Sequence, residues 1–457
     1  MPKIRYNYHM AKIDIAGLKI DSLTKQELLA VLLSRTIASQ KTWITTVYSE
    51  FLHAALRDLK ITGMLNQADI AIADGIGIFW AQKFLSIPLT AKSYWLKILQ
   101  AYWQVIYGLF TLPGRWKEIQ SGADDLKDRI PGSELIWDIA RLAVENNLSI
   151  YLLGGFDDTS KLVSNKLTSS FYSGRYKMMI GYSNKNADDL SVIDDINNFH
   201  PDILFVAYGP IKQEKWIYEN LPKLPSIKII MGVGGSFDYI AGKRLAPPSL
   251  VRKIGLEWLW RLFTQPHRIK RVWNATLGLI MMLVRYKIFM SYGYRKNAAC
   301  IIVNRQNQIL VVQRSKFDQR WENKQPEEYK NYWQFPQGGI DAKENLIDGA
   351  KREIYEETGI VSLELIAVSK HKNSYLFRHG LRPLFRNRLY LYKGQEQSIV
   401  YFRFIGKETE INLDKRELIN HRWINIIELE KTVNPERLVL AKIVQKDLLQ
   451  MRQKGII

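Results

Sequence analysis

Short apolar runs that end in Gly or Asp alternate with helix-length segments along the first half of the chain. Five such runs stand in order, WITTVYS, ADIAIADG, SIYLLGG, DILFVAYG and IKIIMGVGG, and a helix pattern from Glu50 to Leu65 follows the first. Strands that are apolar throughout are typical of parallel sheets covered by helices on both faces. The pattern predicts a Rossmann-like α/β domain whose functional residues lie at the carboxyl ends of its strands.

The chain is long enough for more than one such domain. Its 457 residues predict two or three domains, at about 150 residues each. Between Lys243 and Lys296, twelve Lys or Arg residues stand against one acid, so this stretch carries +11 of a net charge of +20. We therefore predict an N-terminal domain over residues 1–242, a basic segment over 243–293 and a C-terminal domain over 294–457. A hairpin is expected around Asn304 to Asn307.

Charge and cysteine content limit the partners and the compartment. A basic chain favours partners that carry phosphate or an anionic surface. The single cysteine, Cys300, excludes an intramolecular disulfide framework and fits a reducing compartment. The N-terminus lacks an apolar core of signal-peptide length, so export is not expected. Two apolar stretches, Ile98 to Gly114 and Ala275 to Val284, are shorter than a membrane span, and each is either a buried core helix or a segment lying among lipid headgroups.

The segment from Gly338 to Ile360, GGIDAKENLIDGAKREIYEETGI, predicts a helix with clustered carboxylates. Residues three and four apart share one helical face, so Glu353, Glu356 and Glu357 are expected to lie together. A solvated acidic face is the alternative. Clustered carboxylates repel unless a cation neutralises them, and oxygen ligands select Mg²⁺ or Mn²⁺. The segment therefore predicts a divalent metal site, whose ion would polarise a phosphoanhydride.

This segment resembles the Nudix box. The matching positions are Gly338, Glu344, Arg352, Glu353, Ile354, Glu356, Glu357, Gly359 and Ile360. The resemblance implies an α/β/α Nudix fold, Glu353, Glu356 and Glu357 as metal ligands, and a catalytic part for Glu356. YWQFPQGGI, from Tyr332 to Ile340, is similar to RNA pyrophosphohydrolases and dinucleoside-polyphosphate hydrolases within that family. This similarity implies that Glu417, six residues before Trp423, helps handle the metal or the attacking water.

Residues from about Ala11 to Lys287 resemble the WecG/TagA/CpsF glycosyltransferases. Six blocks carry the resemblance in order: ADGIGIFWAQ, DRIPGSEL, YLLGG, GPIKQEKW, GVGGSFDYIAG and GLEWLWRL. Relative to the family, residues 91–127 look like an insertion. The resemblance implies transfer of an N-acetylmannosamine-type sugar from UDP to a polyprenyl-diphosphate-linked acceptor, by an enzyme whose C-terminal piece docks on the membrane.

The same resemblance assigns roles to individual residues. It implies that Asp74 is the general base that takes the proton from the attacking sugar hydroxyl; an Asp that caps the following helix is the alternative. Thr46 matches an active-site threonine, although Tyr48 replaces the family's asparagine two residues later. Gln213 matches a glutamine that can hydrogen-bond sugar or acceptor, with a surface helix residue as the alternative. Arg129 lies where the family places a phosphate-facing arginine.

The leaving diphosphate needs stabilisation, and the chain contains no Asp-x-Asp tripeptide of the kind that holds a metal in many glycosyltransferases. Positive side chains and backbone N–H groups are the remaining means, so this domain is expected to work without a metal. The candidates for phosphate binding are Gly234, Gly235, Arg244, Arg252 and Arg261. Ala246 stands where the family usually has an arginine, and Arg244 lies two positions earlier.

The favoured hypothesis is a bifunctional enzyme of bacterial envelope polysaccharide synthesis. It would be cytoplasmic and peripherally associated with the inner face of the cell membrane, with a UDP-aminosugar, a lipid-diphosphate acceptor and the anionic membrane surface as partners. The alternative is an RNA 5′-pyrophosphohydrolase or dinucleoside-polyphosphate hydrolase whose N-terminal domain only binds a membrane or a ligand. Salt-sensitive binding to anionic vesicles but not to RNA would favour the first. An inactive scaffold is disfavoured because both sets of candidate catalytic residues are largely intact.

Overall fold

In the computed structural model the chain divides into an N-terminal unit, Met1–Ile288, and a C-terminal unit, Phe289–Ile457. The structure describes residues 11–120, 126–171, 178–245, 269–314, 333–341, 343–376 and 392–457, together with positions 248, 251, 260 and 264. Most of the basic segment predicted over 243–293 falls in the N-terminal unit.

The N-terminal unit is built on a parallel sheet. A separate antiparallel hairpin, β1 (Lys12–Ile15) and β2 (Leu18–Asp21), precedes it. The sheet strands are β3 (Thr42–Val47), β4 (Ile70–Ala73), β5 (Ile150–Gly154), β6 (Ile180–Ser183), β7 (Ile203–Ala207) and β8 (Ile229–Gly232). They pair in the order β4-β3-β8-β7-β5-β6, and every described pairing in this sheet is parallel. This order places the carboxyl ends of β4, β3 and β8 side by side, at the edge where α/β sheets bind ligands.

Helices cover both faces of this sheet. The helices of this part of the unit are α1 (Lys25–Ile37), α2 (Ser49–Arg57), α3 (Leu59–Leu65), α4 (Ile76–Ser86), α5 (Tyr94–Gln120), α6 (Gly132–Glu145), α7 (Thr159–Phe171), α8 (Ser191–Phe199), α9 (Lys212–Asn220) and α10 (Ser236–Ile240). On one face Leu152 and Phe205 pack with residues of α1, α6 and α7. On the other, Leu153 and Val206 pack with residues of α8 and α9. Successive strand residues thus enter opposite cores, which explains why the strands are apolar throughout.

The prediction of a single helix from Glu50 to Leu65 is wrong in one respect, because the structure has two helices there, α2 and α3. Asp58 takes an extended conformation between them, and its carboxylate accepts a hydrogen bond from the Lys60 N–H at 2.8 Å. Aspartate competes for backbone donors in this way and so favours a helix N-terminus over a helix interior.

The basic stretch from Lys243 to Lys296 is called here the neck. It contains α11 (Ile269–Trp273), a π-helical turn (Asn274–Gly278) and α12 (Leu279–Met290). The turn packs on α2, where a Cβ on Gly278 would lie 3.3 Å from Nε2 of His53. None of the helices in the described part of the chain is long and apolar enough to cross a membrane.

The C-terminal unit is a mixed sheet with helices on both faces. Its strands are β9 (Tyr294–Val303), β10 (Ile309–Arg314), β11 (Trp333–Gln334), β12 (Gln337–Gly339), β13 (Leu363–Leu376), β14 (Gly394–Phe404) and β15 (Leu418–Ile424). The helices are α13 (Leu346–Thr358), α14 (Leu429–Thr432) and α15 (Leu438–Gln453). Antiparallel pairing of β9 with β10 confirms the expected hairpin, and β14 pairs with β9 in parallel. Alternate residues of β9 face α13 and α15, so the α/β/α prediction is confirmed.

Candidate active sites

Thr46 and Asp74 meet at the carboxyl edge of the parallel sheet. The register of β3 and β4 pairs Val47 with Ala73, and the N–H of Asp74 donates to the Val47 carbonyl at 2.9 Å. At the start of α6, a Cβ on Gly132 would lie 3.1 Å from Cγ2 of Thr46 and 3.4 Å from Oδ2 of Asp74. The two side chains therefore lie close together beside the N-terminus of α6, where Gly132 leaves space next to them.

Arg129 binds the backbone of this site. Its Nε donates to the Asp74 carbonyl at 2.9 Å, and the N–H of Ile130 donates to the Ala73 carbonyl at 3.0 Å. The chain leading into α6 is thereby fixed along the end of β4. Gly75, the residue after Asp74, is the N-cap of α4.

Gln213 lies inside the protein rather than on its surface. It is 2% exposed, its Oε1 accepts the Gly234 N–H at 2.9 Å, and its Nε2 donates to Oε1 of Glu214 at 3.2 Å. Trp43 Nε1 donates to the other oxygen of Glu214 at 2.9 Å. A Cβ on Gly232 would lie 2.3 Å from both Nε2 of Gln213 and Oε1 of Glu214. The Gln213–Glu214 pair therefore holds the glycine-rich turn after β8 in place.

Glu214 is the residue of this pair that the sequence does not single out. Burial raises its pKa to about 7, and the hydrogen bonds from Gln213 and Trp43 oppose that rise. Within KQEKW it looks like one more charge on a solvated helix. The available signal is the apolar pattern around it, because Trp216 and Ile217 are both buried in the core below.

The turn before α9 carries backbone strain. Ile211 has φ 61° and ψ −48°, and the Lys212 N–H donates to the Pro210 carbonyl at 2.7 Å, which describes a γ-turn. A β-branched residue in this region is a rare and costly conformation. It directs α9 so that Gln213, two residues later, reaches the turn after β8.

Arg244 lies beside that same turn. A Cβ on Gly235 would lie 3.6 Å from Nη1 of Arg244, whose Nη2 pairs with Oδ2 of Asp238 at 2.9 Å. Of the predicted phosphate-binding residues, the structure thus brings Gly234, Gly235 and Arg244 together. Arg252 and Arg261 lie outside the described residues, as does Ala246.

The C-terminal unit places Glu353 and Glu357 against β12. The buried Glu357 accepts the Gln337 N–H at 3.1 Å, and a Cβ on Gly338 would lie 1.6 Å from Oε2 of Glu353. Glycine at 338 is therefore the residue that lets the Glu353 carboxylate reach the sheet.

Glu356 is positioned differently from its two neighbours. Its side chain is 56% exposed and pairs with Nη1 of Arg352 at 3.3 Å. Arg352 also binds Oε1 of Glu353 at 2.9 Å and Oε2 of Glu344 at 2.9 Å. The guanidinium supplies part of the neutralising charge that the clustered carboxylates require.

Glu417 completes the acidic surroundings of Glu357. It lies just before β15 and pairs with Nη2 of Arg314 at 3.8 Å. Burial raises the pKa of Glu357 to about 8, and the charges of Glu417 and Glu353 add to that rise, whereas the Gln337 N–H and Arg314 oppose it. Burial likewise raises the pKa of Glu353.

These carboxylates have the chemistry of a divalent metal site. Among the described residues, no group of three or more His, Cys, Asp or Glu side chains is gathered in a metal-holding arrangement. Nevertheless, Glu353 and Glu357 are oxygen donors whose ionised forms are disfavoured by burial and by neighbouring carboxylates, and a hard cation would reverse that penalty. The residues therefore fit Mg²⁺ or Mn²⁺. Glu356 is the sequence neighbour of Glu357, and Glu417 lies near Glu357 in space.

Comparison with known proteins identifies both units. Residues 13–109 and 119–292 match the Glycosyl transferase WecG/TagA/CpsF family, and residues 293–444 match the NUDIX domain. Two relatives, from Staphylococcus aureus strains MRSA252 and NCTC 8325, are each named N-acetylglucosaminyldiphosphoundecaprenol N-acetyl-beta-D-mannosaminyltransferase. Each is 27% identical over 265 residues, which are 57% of this chain and 88% of the relative.

Two solved structures are similar to about a third of the chain. A Caenorhabditis elegans Ap4A hydrolase in a binary complex is 16% identical, with a TM-score of 0.24, over 34% of this chain and 98% of its own. A MutT protein from Methanosarcina mazei is 16% identical, with a TM-score of 0.24, over 36% and 96%. The family matches confirm both resemblances seen in the sequence.

Proposed function

Because the chain belongs to the WecG/TagA/CpsF glycosyltransferase family and carries a Nudix hydrolase domain, we propose a specific pair of reactions for it. The N-terminal unit transfers an N-acetylmannosamine-type sugar from UDP to a polyprenyl-diphosphate-linked N-acetylglucosamine. The C-terminal unit hydrolyses a nucleoside diphosphate linkage. The names of the staphylococcal relatives support the first reaction, and the placement of Asp74 beside Thr46 at the sheet edge carries it.

In the transfer reaction, Asp74 is the general base. Its carboxylate accepts the proton of the acceptor hydroxyl while that oxygen bonds to the anomeric carbon and the bond from that carbon to the UDP oxygen breaks. Thr46, which lies against the same α6 N-terminus, orients the acceptor hydroxyl.

The diphosphate that leaves needs positive charge. We assign this to Arg129, which is fixed to the Asp74 backbone, and to Arg244, which lies beside Gly235. Because Gln213 already accepts the Gly234 N–H, Gly234 shapes the turn and Gln213 positions it. Arg252 and Arg261 remain candidates for the same diphosphate or for that of the lipid.

In the hydrolytic unit, Glu353, Glu356 and Glu357 would hold Mg²⁺ or Mn²⁺. When bound, the ion polarises the phosphoanhydride and lowers the pKa of water. The Gln337 N–H positions Glu357 by a hydrogen bond, and the absence of a side chain at Gly338 leaves room for the Glu353 carboxylate. Glu417, near Glu357 and paired with Arg314, takes the proton of the attacking water. A nucleotide or an RNA 5′ end is the substrate class.

We further propose that the protein acts at the inner, cytoplasmic face of the cell membrane. A polyprenyl acceptor is confined to a bilayer, and the net charge of +11 between Lys243 and Lys296 attracts anionic lipid. The protein is therefore expected to bind its lipid substrate from the surface.

The test of the transfer reaction is Asp74→Asn in the full-length chain. Because Asn keeps the shape of Asp but accepts no proton, we expect transfer to a short-chain lipid-diphosphate acceptor to fall by about 10²-fold or more, with little change in UDP-sugar binding. Asp188→Asn, on an exposed side chain of the same unit, is the matched control. Unchanged transfer by Asp74→Asn would overturn the assignment.

The test of the hydrolytic reaction is a panel of substrates. RNA 5′ triphosphate, dinucleoside polyphosphates and NDP-sugars are each offered to the full-length chain, and the one that is hydrolysed identifies the Nudix substrate.

A further inference from the structure

The long helix α5 exposes a wide apolar face. Seven of its large apolar and aromatic side chains are between 43% and 67% exposed: Trp95, Leu96, Leu99, Tyr102, Trp103, Ile106 and Tyr107. At 100° per residue they occupy one face about 140° wide. An ordinary surface helix turns such a stripe towards the core. The exposed face of these seven residues is called here the α5 apolar face.

Three polar residues of α5, Lys97, Gln100 and Gln104, lie on its inner side with the buried Ala101 and Val105. Lys97 is 8% exposed. Gln100 Oε1 accepts the N–H groups of Thr90 and Ala91, both at 3.1 Å, and Gln104 Nε2 donates to the Pro88 carbonyl at 3.2 Å. Protein groups therefore satisfy the hydrogen-bonding groups of Gln100 and Gln104 on the inner side. The outer side presents mainly apolar and aromatic side chains to the solvent.

The neck presents a second apolar stripe. Ile269, Trp273, Leu277 and Met281 repeat every four residues and are between 47% and 62% exposed. Lys287 of α12 joins the neck to α5, because its buried ammonium donates to the Phe84 carbonyl and to Oε1 of Gln104. The neck sequence is also the most basic part of the chain, at +11.

We propose that the α5 apolar face lies in the headgroup and upper acyl region of an anionic lipid bilayer, parallel to its surface. This inference rests on the proposed function, since the acceptor lipid lies in the same bilayer. Trp and Tyr beside aliphatic residues are the composition of membrane-interface segments. The sequence from Ile98 to Gly114 contains no charged residue to pair with a protein partner, while the basic neck supplies attraction to anionic headgroups.

The test uses the full-length chain and vesicles of phosphatidylcholine with and without phosphatidylglycerol. The double variant Leu99→Glu/Trp103→Glu places two charges on the α5 apolar face, and Leu190→Glu, at a site 90% exposed in the same unit, is the matched control. We expect co-sedimentation with phosphatidylglycerol vesicles to weaken by at least about 10-fold in the double variant and to stay unchanged in the control. Circular dichroism checks that both remain folded.

Other results would overturn the proposal. Binding by the folded double variant that equals that of the unaltered protein would exclude this face as the docking surface. A dimer in lipid-free solution that the double variant dissociates, with vesicle binding unchanged, would make the face an interface between two copies instead.

A second measurement separates this inference from the proposed function. Transfer to a water-soluble short-chain acceptor without vesicles is expected to be equal in the double variant and the unaltered protein. Transfer to a long-chain acceptor in vesicles is expected to fall together with binding. If the unaltered protein binds vesicles through α5 but transfers no sugar to either acceptor, the proposed function fails and the docking surface stands.

Discussion

Two buried glutamates, one in each unit, have pKa values raised mainly by burial, but only Glu357 has other carboxylates adding to that rise. Glu214 is enclosed by neutral donors, Trp43 and Gln213, and burial alone raises its pKa to about 7. Glu357 is also buried, but it faces the carboxylates of Glu417 and Glu353, and its pKa rises to about 8. Burial without neighbouring acids favours a protonated, structural carboxyl group, whereas burial among acids favours a bound cation. On this comparison Glu214 is expected to act as a positioning residue, whereas Glu357 is the proposed metal ligand.

The largest expected effect concerns Glu357, the proposed metal ligand. Glu357→Gln removes one charge from the cation site, so Mg²⁺-dependent hydrolysis is expected to fall by at least about 10²-fold. Sugar transfer is expected to persist, because its proposed site uses arginines in the other unit. Glu364→Gln, an exposed side chain of β13, is the matched control. Measuring both activities decides the point: if transfer falls in parallel while the protein stays folded, the two sites are not independent.

The next effect concerns the position of the Gln213–Glu214 pair. Gly232→Ala forces a methyl group to within 2.3 Å of both side chains, and such overpacking costs about 1–3 kcal/mol of stability. We expect sugar transfer to fall by about 10-fold or more, because the Gly234 turn moves with Gln213. Gly63→Ala is the control, since nothing lies within 4 Å of its added Cβ. Equal transfer by the two variants would show that the turn tolerates displacement.

The smallest effect is the pH dependence of stability due to Glu214. Its folded pKa of about 7 lies above its ordinary value of 4.5, so the folded state binds more protons than the unfolded state between these pH values. Stability from this group is therefore fully present below pH 4.5 and is lost as the pH rises to about 7. The loss is about 3 kcal/mol by linkage.

Glu214→Gln mimics the protonated form and should remove the part of the fall in stability with rising pH that is due to Glu214. Urea unfolding of the full-length chain between pH 4.5 and pH 7.5, followed by Trp fluorescence, measures the difference between the two proteins. A variant whose stability keeps the slope of the unaltered protein would contradict a neutral Glu214 in the fold.

The positions of some candidate-site residues could be predicted from the sequence because they follow from local structure. Asp74 and Thr46 stand at the ends of apolar strands, and parallel strands bring such ends to one edge. The spacing of Glu353 and Glu357 places them on one helical face. The sequence could not show that Glu356 pairs with Arg352 and stays exposed while Glu353 and Glu357 turn towards the sheet. That difference depends on where the helix meets the sheet.

By itself the sequence determined the parallel sheet, the α/β/α C-terminal fold and both family resemblances, because each rests on periodicity or on a spaced motif. Only the tertiary structure decided the burial of Gln213, the pairing of Glu214 with Trp43 and the outward direction of the α5 apolar face. These depend on contacts between residues far apart in the chain, such as Trp43 and Glu214, which are 171 positions apart. Residue type and local pattern carry no record of such contacts, since the same Glu or Trp suits either a core or a surface until its neighbours are placed.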